Sequence, residues 1–250
     1  MNPIVIIPAR MNSSRLPGKP LADIHGKPMV HHVLRRALEA DLGPVVVAAA
    51  DPEIAEALAE TRATVILTDP NLASGSDRSH SALSSFDPDR YFDVIVNLQG
   101  DMPTISPQLL RTAVSVLGDP KIDIATLATP ISDEAETERA AVVKVAIEPS
   151  TGNPFIGRAI YFSRLPIPYG AQTLLHHIGL YVYRRDALDR FVAAVPSQLE
   201  RFEKLEQLRA LALGLTIGVA VVETFPLGVD THGDLEEARR RLAPCKGARP

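Results

Sequence analysis

The first twenty residues constrain the fold more than any other part of the sequence. Positions 4–7 are a run of β-branched apolar residues, which is typical of a strand buried on both faces, and Pro8 follows at once. Because proline lacks a backbone N–H, we expect the strand to end there. The loop that comes next carries three cations within ten residues, Arg10, Arg15 and Lys19.

Three cations on one short loop indicate a polyanionic ligand such as a nucleoside triphosphate. The loop matches neither of the common phosphate-binding signatures. A P-loop has two glycines before Lys-Ser/Thr and a dinucleotide fingerprint has three glycines, whereas this loop has only Gly18, and Pro20 follows Lys19. A solvated basic loop between a strand and a helix is the alternative interpretation.

Apolar runs alternate with helical patterns through the first half of the chain. Strands are predicted at 4–7, 45–50, 64–68 and 93–98, and helices at 28–38, 54–60, 79–85 and 106–117. The segment 69–78 between the third strand and its helix is predicted to be a loop that ends in a charged pair. Such alternation implies parallel strands with helices on their faces, which is the α/β class.

The second half has a different pattern. Strand-like runs at 122–129 and 142–148 are followed by a turn at 149–153 and by extended segments around Ile160 and at 178–183, which favours antiparallel pairing in an inserted lobe. Further on we expect a helix at 186–195, a longer helix at 199–212, a strand at 217–222 and a last helix capped by Thr231 and Asp234. Residues 1–243 should form a single domain, with a smaller lobe made mainly by about 130–200 and a disordered tail at 244–250.

Composition narrows the classes of function. The chain has 250 residues and 46% hydrophobic content, enough for one large α/β domain. A net charge of -4 argues against nucleic acids and anionic membranes as partners. The single cysteine, Cys245, excludes an internal disulfide and suits a reducing cytoplasm. We find no signal-peptide pattern and no apolar run of membrane-spanning length, so we expect a cytoplasmic protein.

Two aspartates are candidate metal ligands. Asp101 and Asp230 each follow an apolar strand and a glycine, and ligands in open α/β sheets bind beyond the carboxyl ends of strands. Two such carboxylates can hold one Mg²⁺, which bridges them to substrate phosphates. Cations opposite an acidic metal site suit nucleotidyl transfer. The alternatives are a turn aspartate before a proline for Asp101 and a residue beside a helix cap for Asp230.

Five further polar residues are candidates for contact with a ligand. His176 and His177 are neighbours on a predicted strand and face opposite ways, so one should face a ligand and the other solvent. Glu206 and Gln207 would ordinarily lie on the solvated face of the long helix. Arg164 would ordinarily be a surface arginine, although its fork could bind a carboxylate substrate.

Ordered motifs along almost the whole chain resemble one family. These are IIPARMNSSRLPGKPL, SGSDR, NLQGD, VVKV, YFSR, HHIGLYVYR, EKLEQLR and GVDT. The sequence is similar to the 3-deoxy-manno-octulosonate cytidylyltransferases, also called CMP-Kdo synthetases. The opening motif is shared with sialic-acid cytidylyltransferases, but HHIGLY and LEQLR point to the Kdo branch. The resemblance implies a Rossmann-like nucleotidyltransferase fold, of the nucleotide-diphospho-sugar transferase type, with a mixed, mostly parallel central sheet and a homodimer formed through the smaller lobe.

The resemblance also implies a role for each matching position. Nucleotide binding is expected from Pro8, Ala9, Arg10, Arg15, Lys19, Ser74, Gly75 and Arg78. Catalysis is expected from Lys19, Arg10 and Asp101, and Mg²⁺ binding from Asp101 and Asp230. Binding of the sugar acid is expected from Gln99, Arg164, His177, Glu206 and Gln207. The anomeric hydroxyl of Kdo would attack the α-phosphorus of CTP, giving CMP-Kdo and diphosphate for lipopolysaccharide biosynthesis.

Two departures from the family pattern keep alternatives open. Many members have glutamate where this chain has Met102, which puts a metal role for that position in doubt. The segment 166–175 is shorter than in many members, so the acceptor could be an amino analogue of Kdo. Sialic or pseudaminic acid is another candidate acceptor, and a nucleotide-binding regulatory protein without catalysis is a third interpretation.

Overall fold

A computed structural model describes residues 1–61 and 63–243. The predicted disordered tail and Cys245 lie outside the described residues. The chain divides into two compact units. The first unit contains Ile4–Asp89, Asn97–Pro107 and, among the described residues, 226–243; the second unit contains Met1–Pro3, Arg90–Val96 and Gln108–Phe225. The lobe predicted at 130–200 falls within the second unit.

Helices and strands alternate for most of the chain. In chain order they are β1 (Pro3–Ala9), β2 (Asp23–Ile24), β3 (Lys27–Pro28), α1 (Met29–Glu39), β4 (Val45–Ala49), α2 (Pro52–Ala57), β5 (Thr64–Leu67), α3 (Gly75–Phe86), β6 (Val94–Asn97), α4 (Pro107–Val116), β7 (Ile124–Pro130), α5 (Glu134–Thr137), β8 (Lys144–Ser150), β9 (Asn153–Ser163), β10 (Leu175–Arg184), α6 (Arg185–Ala193), α7 (Gln198–Glu203), α8 (Gln207–Ala212), β11 (Ile217–Val221) and α9 (His232–Arg241).

Parallel strands form the centre of the first unit. β1 pairs with β4 in parallel, with Ile6 opposite Val46, and β4 pairs in the same sense with β5. Residues 4–9 of β1 and all of β4 are buried, as expected for strands covered on both faces. The parallel pairing predicted for these three strands is therefore confirmed.

The prediction that Pro8 ends the first strand is wrong. β1 continues to Ala9, and Pro8 lies opposite Ala48 in the parallel register. The Ile6 carbonyl accepts from Leu98 N at 3.0 Å, and Pro8, two residues later, faces the same side. The hydrogen bond that proline cannot donate would go to Leu98, one residue beyond the end of β6. Proline thus ends the pairing on that side and leaves the strand intact.

Antiparallel pairing dominates the second unit. β10 is antiparallel to β7 and β8 is antiparallel to β9, while β11 lies parallel to β7 and antiparallel to β9. The antiparallel pattern predicted for this part of the chain is confirmed. No helix in the described ranges is both long and apolar enough to cross a membrane.

The prediction of one long helix at 199–212 is wrong, because the chain forms two short helices, α7 and α8. Lys204, which follows α7, has a left-handed backbone with φ 54. Arg164 donates to the main-chain carbonyls of Glu203 and Lys204 at 2.7 and 3.2 Å. These bonds satisfy carbonyls that a continuous helix would have paired internally.

The polar face predicted for that helix is not solvated throughout. Gln207 and Arg209 are only 6% and 7% exposed. Arg209 forms an ion pair with Glu200 at 2.6 Å and lies over the ring of Phe191. The arginine is therefore part of the packing between α6, α7 and α8, which periodicity alone did not indicate.

Candidate active site

The first unit contains a cleft of about 320 Å³, a volume at the low end of the range for small-molecule sites. It is lined by the loop after β1, the start of α3, the segment after β6 and the chain before α9. Every residue that the sequence predicts for the nucleotide or the metal lines this cleft, together with Gln99: Pro8, Ala9, Arg10, Arg15, Lys19, Ser74, Gly75, Arg78, Gln99, Asp101 and Asp230.

Asp101 and Asp230 both form an ion pair with Lys19. Lys19 Nζ lies 2.7 Å from Asp101 Oδ2 and 3.1 Å from Asp230 Oδ1, and Arg15 Nη2 lies 3.0 Å from Asp230 Oδ2. Burial lowers the pKa of Lys19, but the attraction of Asp101 and then of Asp230 outweighs it, so the pKa is raised overall. Lys19 is therefore a charged ammonium group held between two carboxylates.

The donor set around Asp101 and Asp230 fits Mg²⁺. Because both carboxylates have an oxygen within about 3 Å of the same nitrogen, the two groups converge on one point. The Val229 N–H also donates to the Asp101 carbonyl at 2.8 Å, which joins the two segments through the main chain. No group of three or more His, Cys, Asp or Glu within the described residues could hold a metal alone. Two carboxylates that need further oxygens from phosphate and water are the kind of site that Mg²⁺ uses.

Arg10 differs from the other two cations of its loop. Among the described residues it has no hydrogen-bond or ion-pair partner, and it is exposed at the cleft. After burial, the charge of Arg10 is the next cause that lowers the pKa of Arg78. Two guanidinium groups that repel each other beside one cleft favour an anionic ligand.

The start of α3 corrects the loop predicted for residues 69–78. The helix begins at Gly75, so Ser76, Asp77 and Arg78 are helical. Ser74 caps it: its Oγ accepts from Asp77 N, and the Asp77 carboxylate accepts from Ser74 N, a reciprocal capping box. The helix N-terminus therefore borders the cleft, where its partial positive charge favours an anion.

Arg78 stabilises the chain segment that leads into α3. Its side chain is buried and donates to Thr68 Oγ1 at 2.6 Å and to the carbonyls of Asp69 and Pro70 at 3.0 and 3.4 Å. These bonds hold the chain between β5 and α3 in place. Arg78 also lines the cleft, so it can act on a ligand as well as on the loop.

A buried hydrogen-bond network that the sequence did not predict lies beneath Gln99. Asn97 is 0% exposed, and its Oδ1 accepts from Ser79 Oγ at 3.0 Å and from Gln99 Nε2 at 3.3 Å. Because the amide nitrogen of Gln99 points at Asn97, its oxygen lies on the side of Gly75. The motif NLQGD contains Asn97 and was the available signal, but nothing in it showed that the asparagine is buried.

Met102 is a packing residue in this chain. It is 8% exposed, and its N–H donates to the Gln99 carbonyl at 3.3 Å. A buried thioether is not a ligand that Mg²⁺ prefers. The methionine therefore leaves the two aspartates as the carboxylates of the cleft.

Arg164 lies in the second unit, and its guanidinium is occupied by main-chain carbonyls. Besides the bonds to Glu203 and Lys204, Nη1 donates to the Ala140 carbonyl at 2.9 Å. The Glu203 carboxylate in turn accepts from Arg164 N and from Ser163 Oγ. In this arrangement the arginine braces the loop after β9 against the end of α7.

Lys144 braces the same region and was not predicted as a functional residue. It is 0% exposed, and Nζ donates to the carbonyls of Arg139, Val142 and Arg164 at 2.8 to 2.9 Å. Burial, which is the main cause, lowers its pKa. The motif VVKV contains this lysine, but a charged residue in a strand pattern ordinarily indicates an exposed position.

The histidine pair of β10 differs from expectation, since neither residue is fully exposed. His177 is 7% exposed, with Nε2 2.9 Å from Thr126 Oγ1, and His176 stacks on Phe225 at 4.1 Å. Burial, followed by the charge of His176, lowers the pKa of His177 to about 3. Burial, followed by Lys144, lowers the pKa of His176 to about 4. Both rings are therefore neutral near pH 7.

Glu206 and Gln207 begin α8 in the second unit. Glu206 is the N-cap residue and lies 3.8 Å from Arg209, while the side chain of Gln207 is almost fully buried. The ordinary interpretation of a solvated pair is therefore wrong for Gln207. A buried amide is a group that must be hydrogen-bonded, which keeps it a candidate for binding a polar ligand.

Comparison with known proteins identifies the class. The family model described as cytidylyltransferase matches residues 4–217. A nucleotidyl transferase from Methanothermobacter has the same fold, with a TM-score of 0.60 at 14% identity over 95% of this chain and 96% of that one. The mixed α/β, nucleotidyltransferase-like fold expected from the sequence is confirmed.

Relatives with higher sequence identity show the family within this class of protein. A 3-deoxy-manno-octulosonate cytidylyltransferase from Rhodospirillum centenum is 57% identical over 249 residues, covering 100% of this chain and 96% of the relative. The solved structure of CMP:2-keto-3-deoxy-manno-octonic acid synthetase complexed with CTP has a TM-score of 0.86 at 38% identity and covers 96% of this chain and 98% of that one. The chain belongs to the 3-deoxy-manno-octulosonate cytidylyltransferase family.

Proposed function

We propose that this protein transfers CMP from CTP to the anomeric hydroxyl of Kdo, giving CMP-Kdo and diphosphate. One observation carries the proposal: a single cleft brings three loop cations and a helix N-terminus to two converging aspartates. That is the arrangement that aligns a triphosphate and neutralises its charge. The identity to named relatives over the full chain supports Kdo as the acceptor and does not favour an amino analogue, sialic acid or pseudaminic acid.

The loop cations would act on the triphosphate. Arg10, which has no partner among the described residues, is available to phosphate oxygens at once, while Arg15 and Lys19 must first leave their aspartates. As the bond between the α-phosphorus and the oxygen that bridges it to the β-phosphorus breaks, that oxygen leaves with the electron pair and negative charge develops on the diphosphate. Arg10 and Lys19 would stabilise that charge. The N–H groups at the start of α3 would bind the nucleotide as well.

Asp101 and Asp230 would hold Mg²⁺. When bound there, the ion supplies positive charge that draws phosphate oxygens into line and offsets their repulsion of an incoming hydroxyl. The aspartates themselves fix the position of that charge, because the hydrogen bond from Val229 to Asp101 joins the segments that carry them.

We further propose that Gln99, Arg164, His177, Glu206 and Gln207 bind the sugar acid. Gln99 would accept a hydroxyl hydrogen through the oxygen that Asn97 leaves free. His177 would act as a neutral hydrogen-bonding group, since its pKa of about 3 excludes a charged imidazolium near pH 7. Arg164 is the candidate partner of the sugar carboxylate, and it would have to exchange at least one carbonyl bond to reach it.

The cellular location and the oligomeric state of the protein are also part of the proposal. We infer a cytoplasmic homodimer that supplies CMP-Kdo for lipopolysaccharide biosynthesis, with dimerisation through the second unit. Exposed apolar side chains on that unit, among them Phe155, Leu165 and Tyr169, support an interface there. Sedimentation velocity of the purified protein tests the oligomeric state.

The acceptor assay tests the function directly. The protein is incubated with CTP, Mg²⁺ and Kdo, and diphosphate release is measured beside an active control enzyme. Parallel reactions replace Kdo by its amino analogue, sialic acid or pseudaminic acid and are compared by kcat/KM. We expect the highest value with Kdo and a loss of release in Asp101→Asn and Asp230→Asn. No release from any acceptor would leave a nucleotide-binding protein without catalysis and would refute the proposal.

A further inference from the structure

Lys19 occupies the point at which the two candidate metal ligands converge. Its ammonium group is within 3.1 Å of an oxygen of each aspartate, and the side chains of Lys19, Asp101 and Asp230 are 16%, 28% and 44% exposed. The lysine is therefore the most shielded member of the group. The attraction between these charges is screened less than that of a surface ion pair.

The charges of this cluster cancel. Lys19 and Arg15 bring two positive charges to two carboxylates. Arg10, which has no partner in the described part of the chain, adds a third positive charge at the same cleft. A free divalent cation would approach a site with no net negative charge. It would also have to displace the ammonium, because Mg²⁺ needs ligand oxygens at about 2.0–2.1 Å and cannot share the space between the two carboxylates with a nitrogen.

We propose that Lys19 is an internal cation that keeps divalent metal out of the empty cleft, so that the metal enters only together with the nucleotide. The inference rests on the proposed function, since it takes Asp101 and Asp230 as the metal ligands. A triphosphate offers Lys19 and Arg15 new anionic partners and brings enough negative charge to reverse the balance of the cleft. The reaction then starts from the metal–nucleotide complex.

The carboxylates stay together when the lysine leaves. The Val229 N–H donates to the Asp101 carbonyl at 2.8 Å, and the Thr104 hydroxyl and Leu227 also exchange hydrogen bonds between the same two segments. The spacing of the aspartates is thus set by hydrogen bonds that do not involve Lys19. Lysine is suited to the exchange because its ammonium sits on a flexible stem and can move without displacing the backbone.

Metal binding measured without turnover tests the proposal. Mn²⁺ serves as the probe, and its binding to the full chain is followed by water proton relaxation enhancement, with no acceptor sugar present. We expect weak binding to the wild-type protein alone and tighter binding when CTP is added. Lys19→Met and Lys19→Gln remove the charge and should each bind Mn²⁺ alone about ten-fold or more tightly than wild type. Lys19→Arg should stay weak.

Matched control variants test whether the charge of Lys19 is what weakens Mn²⁺ binding. Lys27→Met removes an exposed lysine from β3, outside the cleft, and should leave Mn²⁺ binding unchanged. Adding Asp101→Asn to Lys19→Met should abolish the gain. Thermal unfolding of each variant confirms that it is folded, and the two neutral replacements guard against a defect specific to one of them.

Several results would overturn the inference. Equal Mn²⁺ affinities of wild type and both neutral variants in the absence of CTP would show that Lys19 excludes nothing. Equal affinity of the wild type with and without CTP would show that the metal does not need the nucleotide. Metal binding that follows the expected pattern without transfer to Kdo would instead refute the proposed function and leave the order of binding intact.

Discussion

Ser79 Oγ donates to Asn97 Oδ1 at 3.0 Å in a place where neither side chain is exposed to solvent. Gln99 donates to the same oxygen at 3.3 Å, so one buried acceptor satisfies a residue of α3 and a residue of the cleft. Replacing Asn97 by leucine leaves both donors without their acceptor. We expect a loss of about 1–3 kcal/mol in the free energy of unfolding, measured by urea denaturation.

Ser79→Ala is the matched control for that variant. It removes one donor and keeps the contact between Asn97 and Gln99, so its destabilisation should be smaller and KM for the acceptor should be unchanged. Asn97→Leu should raise KM for the acceptor, because Gln99 loses its fixed orientation. An unchanged KM in Asn97→Leu would show that the network serves stability alone.

Gly100 packs too closely on the first strand to accept a side chain. A Cβ at this position would lie 2.8 Å from the Pro8 carbonyl oxygen, a main-chain atom that cannot rotate away. We expect Gly100→Ala to displace the segment that carries Asp101, with a stability loss of about 1–3 kcal/mol and slower diphosphate release. Urea denaturation and the acceptor assay measure the two effects.

Gly228 provides the comparison on the other side of the aspartate pair. It precedes Asp230 by two residues, and a Cβ there would meet no atom of the described residues within 4 Å. Gly228→Ala should change stability by no more than about 0.5 kcal/mol and leave activity intact. If both alanine variants behave alike, the close approach to Pro8 is not what requires glycine at position 100.

Lys204 has a left-handed backbone at the end of α7, with φ 54 and ψ 45. A side chain is disfavoured there and glycine is not, since glycine has no Cβ to meet the neighbouring carbonyl. Lys204→Gly should therefore stabilise the protein by about 0.5 kcal/mol despite the greater freedom of glycine in the unfolded chain. Thermal and urea unfolding measure the change.

Replacement by glycine inside α7 should have the opposite effect on stability. Arg201 is exposed within α7, and Arg201→Gly should cost about 1 kcal/mol because glycine is a poor helix former. Destabilisation by both glycine variants would mean that the Lys204 side chain makes a contribution larger than its backbone strain.

His177 should make folding stability depend on pH below neutrality. Its pKa falls from 6.5 to about 3 on folding, so the unfolded chain binds a proton in a range where the folded chain does not. The stability from this group is complete above pH 6.5 and decreases as pH falls towards 3. Between pH 7 and pH 5, protonation of His177 in the unfolded chain should lower the free energy of unfolding by about 2 kcal/mol. His177→Gln should remove this part of the pH dependence.

Urea unfolding at several pH values measures this difference. Carboxylates and His176 titrate in both proteins, so the comparison of slopes isolates His177. His232→Gln, which replaces an exposed histidine at the start of α9, is the matched control for the substitution itself. Parallel pH curves for wild type and His177→Gln would contradict a neutral, buried imidazole.

Local patterns predicted the elements that depend on neighbouring residues. The apolar runs of β1, β4 and β6 are strands because each is buried along most of its length. Thr231 and Asp234 form the predicted capping box, since that motif is complete within four residues. Most residues of the cleft could be collected in the same way because they follow a strand, whereas Pro8 and Ala9 lie within β1.

Contacts between distant residues account for what the sequence did not predict. The helical period runs unbroken through Lys204, and the break depends on an arginine about 40 residues earlier. The sequence predicts that the loop cations lie opposite the two aspartates. The structure places Lys19 between them, in contact with a carboxylate 211 residues away, and no local pattern reports such a pairing.

The first unit is assembled from three separate stretches of chain, and residues 108–225 lie between the second and the third. Asp230 belongs to that third stretch. During synthesis from the N-terminus, the loop that carries Lys19 and the segment that carries Asp101 therefore leave the ribosome long before the second carboxylate exists. Until then Lys19 and Arg15 lack Asp230, a native partner of both, and the excess of positive charge among these residues is larger than in the complete cleft. On the proposed function, activity therefore requires the stretch 226–243, which carries Asp230.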